Sequence, residues 1–220
     1  MMTSPEEFYK VRLQGKNEQQ VLSVIEGIRQ RMEWLKMQIE DPRRAYGEGE
    51  ENLGKRRQLV MEREYLALAK RALADCGGKY VPSKAELKAA AFDRRLQHIC
   101  RAEFSSECLF RDRFLRVITV DPVTGEIAYK ELIGMAYCEI SIEDGCPRSR
   151  EELIGRLQAL HLGEWRRAYF PEQYGMSVLD GEQWELRFAF ANSKRSVIFE
   201  GSNVYPFNFD EVRQLFGQRY

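Results

Sequence analysis

The residues best suited to chemistry in this chain are arginines that occur in short basic clusters. Arginine carries a planar, permanently charged guanidinium group that suits the recognition of phosphate and carboxylate groups. The clusters are Arg43-Arg44, Lys55-Arg56-Arg57, Arg94-Arg95 and Arg166-Arg167. Glu48, Glu50 and Glu51 lie in the same loop as the first cluster and offset its charge. The pattern therefore favours a solvated surface of mixed charge, with nucleic-acid contact as the alternative.

Cysteine and histidine offer few catalytic or metal-binding combinations. The five cysteines are Cys76, Cys100, Cys108, Cys138 and Cys146, and no CxxC pair occurs. His98 could join Cys100 and Cys108 around zinc, but this spacing fits no common zinc pattern. His161 could pair with Cys146 as an activated nucleophile, but nothing in the sequence brings the two together. We predict reduced thiols, no metal, no cofactor and no catalytic residue.

The composition is that of a globular chain with no excess of either charge. Of the 220 residues, 44% are hydrophobic and 31% charged, and the 34 lysines and arginines equal the 34 aspartates and glutamates. A neutral balance argues against a protein that binds nucleic acid through bulk charge. No apolar run reaches the ~20 residues that cross a bilayer, and the first residues lack the apolar core of a signal peptide. We predict a cytoplasmic protein without a membrane partner.

Two long amphipathic helices are predicted in the first third of the chain. One carries an apolar heptad seam, formed by Val21, Ile25, Ile28, Met32, Leu35 and Ile39. The second, from about Gly54 to Ala74, has apolar residues seven apart at Leu59, Leu66 and Leu73. A short polar loop over 43–54 joins them, so we predict an antiparallel helical hairpin as a first domain, 1–80. Such an arm could also form a homodimer.

The remaining residues, 81–220, are predicted to form an α+β domain. After a helix through Leu96 and Ile99, the period changes, and strands are expected over Arg113 to Val120 and Ile127 to Leu132. A third strand is expected around Cys138, Ile140 and Ile142, and an edge strand over Cys108 to Phe110. Short connections imply antiparallel pairing with the helices on one face.

The strongest pattern in the chain predicts a terminal hairpin followed by a helix. Apolar residues alternate with others at Trp184, Leu186, Phe188 and Phe190. This period of two predicts a strand with one buried face, and Trp184 should be buried. A return strand is expected over Ser196 to Phe199, after a loop of about five residues. Asn208 and Glu211 form a capping pair for a short last helix.

The terminal region resembles an uncharacterised bacterial domain with the pattern DGxxWxL followed by GSNxYPxNF. The matching residues are Asp180, Gly181, Trp184, Leu186, Gly201, Ser202, Asn203, Tyr205, Pro206, Asn208 and Phe209. The resemblance covers residues from about 148 to 216. It implies a fold module and a bacterial or mobile-element origin, and it implies no activity. Tyr205 and Phe207 could line a groove, or they could fasten the last helix to the sheet.

These observations predict a non-enzymatic accessory protein that binds another macromolecule. The expected partner is another protein or a ribonucleoprotein, as for a phage- or mobile-element-encoded inhibitor of a bacterial defence nuclease (anti-CRISPR-like). Arginine and tyrosine are common anchors of interfaces, so the expected surface is the tip of the arm. The residues assigned to it are Arg43, Arg44, Tyr46, Arg56 and Arg57. The alternatives are a nucleic-acid-binding protein that uses the arginine clusters and an enzyme of unrecognised type.

Overall fold

A computed structural model describes residues 3–45, 49–108, 111–133, 135–178 and 180–218. The chain divides into two compact units, Met1–Pro82 and Ser83–Tyr220. The helices are α1 (Pro5–Arg12), α2 (Glu18–Glu40), α3 (Pro42–Ala45), α4 (Gly49–Asp75), α5 (Lys84–Leu96), α6 (Arg150–Ala159) and α7 (Phe209–Leu215). The strands are β1 (Ile99–Cys108), β2 (Arg111–Val120), β3 (Ile127–Ile133), β4 (Ala136–Ile140), β5 (Ala168–Tyr169), β6 (Glu182–Phe190) and β7 (Ser193–Ser202). The α+β class predicted from the sequence is confirmed.

The first unit contains the predicted antiparallel hairpin, formed by α2 and α4. Asn17 and Gln20 close a capping box at the start of α2, with bonds of 3.0 and 3.1 Å. All the predicted seam residues are buried: Val21, Ile25, Ile28, Met32, Leu35, Ile39, Leu59, Leu66 and Leu73. The apolar seam is therefore buried by contacts within one chain. The structure describes α4 from Gly49, so the second helix already includes residues before the predicted start near Gly54.

The second unit is built on a seven-stranded sheet in the order β4-β3-β2-β1-β6-β7-β5. Every pairing is antiparallel except that of β5 with β7. The third predicted strand is β4, which is shifted toward the N-terminus, to Ala136–Ile140. The terminal hairpin turns more tightly than expected, because β7 already begins at Ser193 and leaves two residues between the strands.

One central strand was missed by the sequence prediction. Residues Ile99–Cys108 form β1, between β2 and β6, whereas the sequence assigned Ile99 to a helix and only Cys108 to Phe110 to an edge strand. Phe110 lies outside the described residues. The inward residues of β1 include Ala102 and Ser106, so its hydrophobic alternation is weak.

An aromatic core fastens the last helix to the sheet. Trp184 is 3% exposed, and its ring centroid lies 4.6 Å from that of Phe209 on α7. Trp184 also contacts Trp165 and Tyr169, with centroids 6.2 and 5.8 Å away. Leu186 is fully buried on the same face of β6, so the predicted position of Trp184 is confirmed. In the described part of the chain, no helix is long and apolar enough to cross a bilayer.

Candidate functional site

The structure describes only part of the predicted arm tip. Arg43 folds onto Asp41, with Nε and Nη2 donating to its carboxylate over 2.9 and 2.7 Å. The side chain of Arg44, a residue of α3, and the whole of Tyr46 lie outside the described part of the chain. On α4, Arg56 is half-buried and Arg57 is exposed. The tip therefore stays a prediction from residue types.

The aromatic pair of the possible groove packs against the protein. Phe207 is buried, and the ring of Tyr205 stacks on Phe209 with centroids 5.0 Å apart. The Tyr205 hydroxyl donates to the carboxylate of Glu182 over 2.8 Å, and Arg213 of α7 also pairs with that carboxylate. These contacts fit the alternative in which the aromatics fasten the last helix.

The histidine and cysteine candidates are not brought together as a site. Cys146 is buried, whereas His161 has a left-handed backbone (φ 51°) and its Nδ1 lies 4.0 Å from Glu164. Cys100 and Cys108 occupy the two end regions of β1. Across the residues that the structure describes, no group of three or more histidine, cysteine, aspartate and glutamate side chains could hold a metal ion.

A basic surface does form in the second unit, from three separate segments. It is made by the last turn of α5, the residues before β5 and the start of β7, and we call it the arginine patch. Its members are Arg95, Arg166, Arg167, Lys194 and Arg195. Arg95 is half-buried and the other four are exposed. The patch therefore joins two of the sequence clusters with a third basic pair on the terminal hairpin.

Two guanidinium groups are fixed at this patch by rings and backbone carbonyls. The Cζ of Arg95 lies 4.3 Å from the ring centroid of Phe190, and that of Arg167 lies 4.5 Å from the ring centroid of Phe199. Arg95 Nη2 donates to the carbonyl of Arg195, and Arg167 Nη1 donates to that of Ile198, each over 3.4 Å. Each side chain thus uses one of its five N–H donors on the protein.

Arg166 is held in a similar way, by tyrosines. Its Cζ lies 4.6 Å from the ring centroid of Tyr169 and 5.7 Å from that of Tyr174. It also donates to the Tyr174 hydroxyl over 2.7 Å and to Gln173 Oε1 over 3.1 Å. Cation–ring contacts of this kind orient an arginine.

The patch differs in its charge balance from two buried arginines of the sheet unit, Arg116 and Arg213. Arg116 and Arg213 are buried and pair with the carboxylates of Glu131 and Glu182. Among the described residues, no carboxylate pairs with Arg95 or Arg167. Although Arg167 is exposed as a whole residue, partial desolvation of its guanidinium, followed by the nearby charge of Arg95, lowers its pKa. Arg95 and Arg167 therefore carry positive charge that no described carboxylate compensates, and a bound anion would relieve it.

The sequence analysis identified the pairs Arg94-Arg95 and Arg166-Arg167, but it did not predict that the two pairs lie near each other in the fold. The third pair, Lys194-Arg195, escaped notice because it follows a turn residue, where charged residues are common. A pair of like charges immediately after the turn of a predicted hairpin was the available signal.

The first unit also contains a cavity, of about 450 Å³, beside α1, α2 and α4. Phe8 and Tyr65 form its apolar wall, with ring centroids 4.1 Å apart. Two of its charged residues pair with each other, because Arg31 Nε and Nη2 donate to both oxygens of Glu62 over 2.8 and 2.9 Å. The cavity is therefore a weaker candidate than the arginine patch.

Comparison of the chain with protein families, with curated proteins and with solved structures finds no match.

Proposed function

We propose that this protein is a non-enzymatic binding protein that holds the phosphodiester backbone of a nucleic acid through the arginine patch. The observation that carries the proposal is the pair Arg95 and Arg167, oriented by Phe190 and Phe199 without a carboxylate partner in the described part of the chain. Guanidinium groups that are positioned but not neutralised are suited to phosphate oxygens.

The overall charge of the chain supports a local contact and not a bulk electrostatic one. Since positive and negative residues balance at 34 each, attraction must come from the patch itself. Arg195 and Lys194 extend the charge along the start of β7, and Arg166 adds a further exposed cation beside Arg167. Basic residues from three segments suit a chain of phosphates better than a single small anion.

Binding of labelled single-stranded and double-stranded oligonucleotides, measured across a salt series, tests this proposal. The double variant Arg95→Gln/Arg167→Gln should weaken binding at low salt. It should also flatten the plot of log K against log salt by about 0.7 to 0.9 for each phosphate that the protein no longer neutralises. The control is Arg113→Gln/Arg148→Gln, which removes the same charge from side chains that are 52% and 65% exposed elsewhere. Equal affinity and slope for both double variants, or no binding by the parent protein at low salt, would refute the proposal.

A second candidate is a protein partner that binds the helical arm. The observation that favours it is an apolar exposure on α2, where Trp34 is 50% and Met37 is 60% exposed while Leu35 between them is buried. Exposed tryptophan is a frequent anchor of protein interfaces. Co-purification from a bacterial lysate should lose its protein partner in Trp34→Ala/Met37→Ser and keep it in the arginine-patch variant. The opposite pattern would exclude the arm.

A further inference from the structure

The two edges of the sheet differ in whether other parts of the chain cover their backbone groups. At the edge formed by β7 and β5, Arg95 and Arg167 bind the carbonyls of Arg195 and Ile198, and β5 covers the strand beyond them. At the other edge lies β4, which pairs only with β3 among the described strands. An uncovered edge strand exposes backbone N–H and C=O groups that can pair with another strand.

The β4 edge is also exposed in its side chains. The first four residues of β4, Ala136 to Glu139, are exposed, and Ile140 is half-buried. Apolar side chains are exposed at the end of β3, in the turn and in β4, with Ile133 at 57%, Met135 fully exposed and Tyr137 at 50%. No described segment of the sheet unit covers this edge. Exposed apolar residues beside unpaired backbone groups are typical of strand addition.

We propose that β4 pairs with the β4 strand of a second copy of this chain, in an antiparallel arrangement centred on Cys138. This register is self-complementary. It sets Tyr137 opposite Glu139 of the second copy, and Ala136 opposite Ile140 of the second copy. Glu139 is the one charged residue of the strand, so no charge faces its own copy. Like charges directly opposite would destabilise the pairing.

Charge also favours a second copy as the occupant of this edge. The chain has a formal net charge of zero, so two copies do not repel each other at long range. Glu139 already lies 3.8 Å from Lys130 of β3, which compensates it on its own side. The hairpin arm offers no comparable seam, since its heptad residues are buried within one chain.

The proposed register has a direct chemical consequence at its centre. Directly opposed residues of an antiparallel ladder have Cα atoms about 4.5 to 5.5 Å apart. Disulfides join cysteines whose Cα atoms are about 4.4 to 6.8 Å apart. The thiol of Cys138 is free and exposed, so an oxidant should convert the two opposed thiols into one disulfide, taking up two electrons and two protons.

Sedimentation equilibrium of the full chain in reducing buffer, over a wide concentration series, tests the association. We expect the mass to approach twice the 25.8 kDa of one chain as the concentration rises. Cys138→Lys sets two like charges at the centre of the pairing and should raise the dissociation constant at least tenfold. Val123→Lys, at a position 91% exposed in the turn before β3, is the matched control and should leave it unchanged.

Oxidative cross-linking tests the register. With a mild oxidant, the parent chain and Cys76→Ser should both form a covalent dimer on a non-reducing gel, and Cys138→Ser should not. Cys76 is the suitable control because it is also exposed. A chain that stays monomeric throughout, a dimer that Cys138→Lys leaves unchanged, or cross-linking that persists in Cys138→Ser would overturn the proposal. A monomer would leave the edge open to an extended segment of another protein.

Discussion

Replacing Trp184 by alanine should remove a large part of the stability of the sheet unit. The side chain is 3% exposed and touches the rings of Trp165, Tyr169 and Phe209. An aromatic side chain buries about 150–250 Å². At about 25 cal/mol per Å², this burial contributes about 4–6 kcal/mol. Measured Trp→Ala changes of about 3–5 kcal/mol agree with that figure.

A hydrogen bond adds to the cost of this change. The indole Nε1 of Trp184 donates to the carbonyl of Val204 over 3.0 Å, and Val204 is 1% exposed. Without the indole, this carbonyl loses its donor in a place that water reaches poorly, which costs about 1–3 kcal/mol. Trp184→Phe keeps much of the ring but not the N–H group, so its loss should be close to that smaller figure.

Urea denaturation followed by far-UV circular dichroism measures both changes. Trp184→Ala should lower the free energy of unfolding by at least about 4 kcal/mol, against a typical total of about 5–15 kcal/mol. Trp34→Ala is the control, because Trp34 is half exposed and should change stability by less than about 0.5 kcal/mol. If Trp184→Ala unfolds at the same urea concentration as the parent chain, the aromatic core is not packed around this side chain and the reasoning is wrong.

Two further predictions concern the packing and the charges around this core. A Cβ on Gly201 would lie 2.6 Å from the Trp184 ring, so Gly201→Ala should destabilise by about 1–3 kcal/mol in the same urea assay. Burial, and then the charge of Glu164, raise the pKa of Asp93, whose Oδ1 is buried without a hydrogen-bond partner in the described structure. The folded state therefore holds the proton more tightly than the unfolded state, and the parent chain loses stability as pH rises from about 3.9 through the folded-state pKa. Asp93→Asn should raise the melting temperature at pH 7 and lose this advantage at pH 3; an equal gain at both pH values would contradict the assignment.

The elements that sequence predicted well are those with one clear hydrophobic period. The seam of α2 repeats at heptad spacing, and β6 alternates strictly from Trp184 to Phe190, so burial alone selects helix or strand. β1 escaped prediction although it is the central strand. Its inward residues include Ala102 and Ser106, which neighbouring strands bury without any strong apolar signal.

The arginine patch could not be predicted because its members are joined only by the fold. Arg95 and Arg195 are 100 positions apart, and they meet where the end of α5 lies against the start of β7. Residue types also do not show that the guanidinium of Arg43 binds the carboxylate of Asp41 two residues earlier. A sequence shows which cations exist, whereas the fold decides which of them keep uncompensated charge.

The position of the patch on a sheet edge gives its arginines two separable tasks. Arg95 and Arg167 bind carbonyls of β7, and protecting an edge strand needs only a positive charge or a single N–H donor. Lysine supplies both, so edge protection should survive replacement of either arginine by lysine.

Phosphate recognition through a planar fork should be lost in the lysine variants, because an ammonium group cannot make two parallel hydrogen bonds from a fixed plane. The ring contacts with Phe190 and Phe199 fix the plane of the guanidinium, a property that edge protection does not use. Under the proposed function, the orientation of these arginines would serve phosphate binding, and the lysine variants separate that task from protection of the sheet.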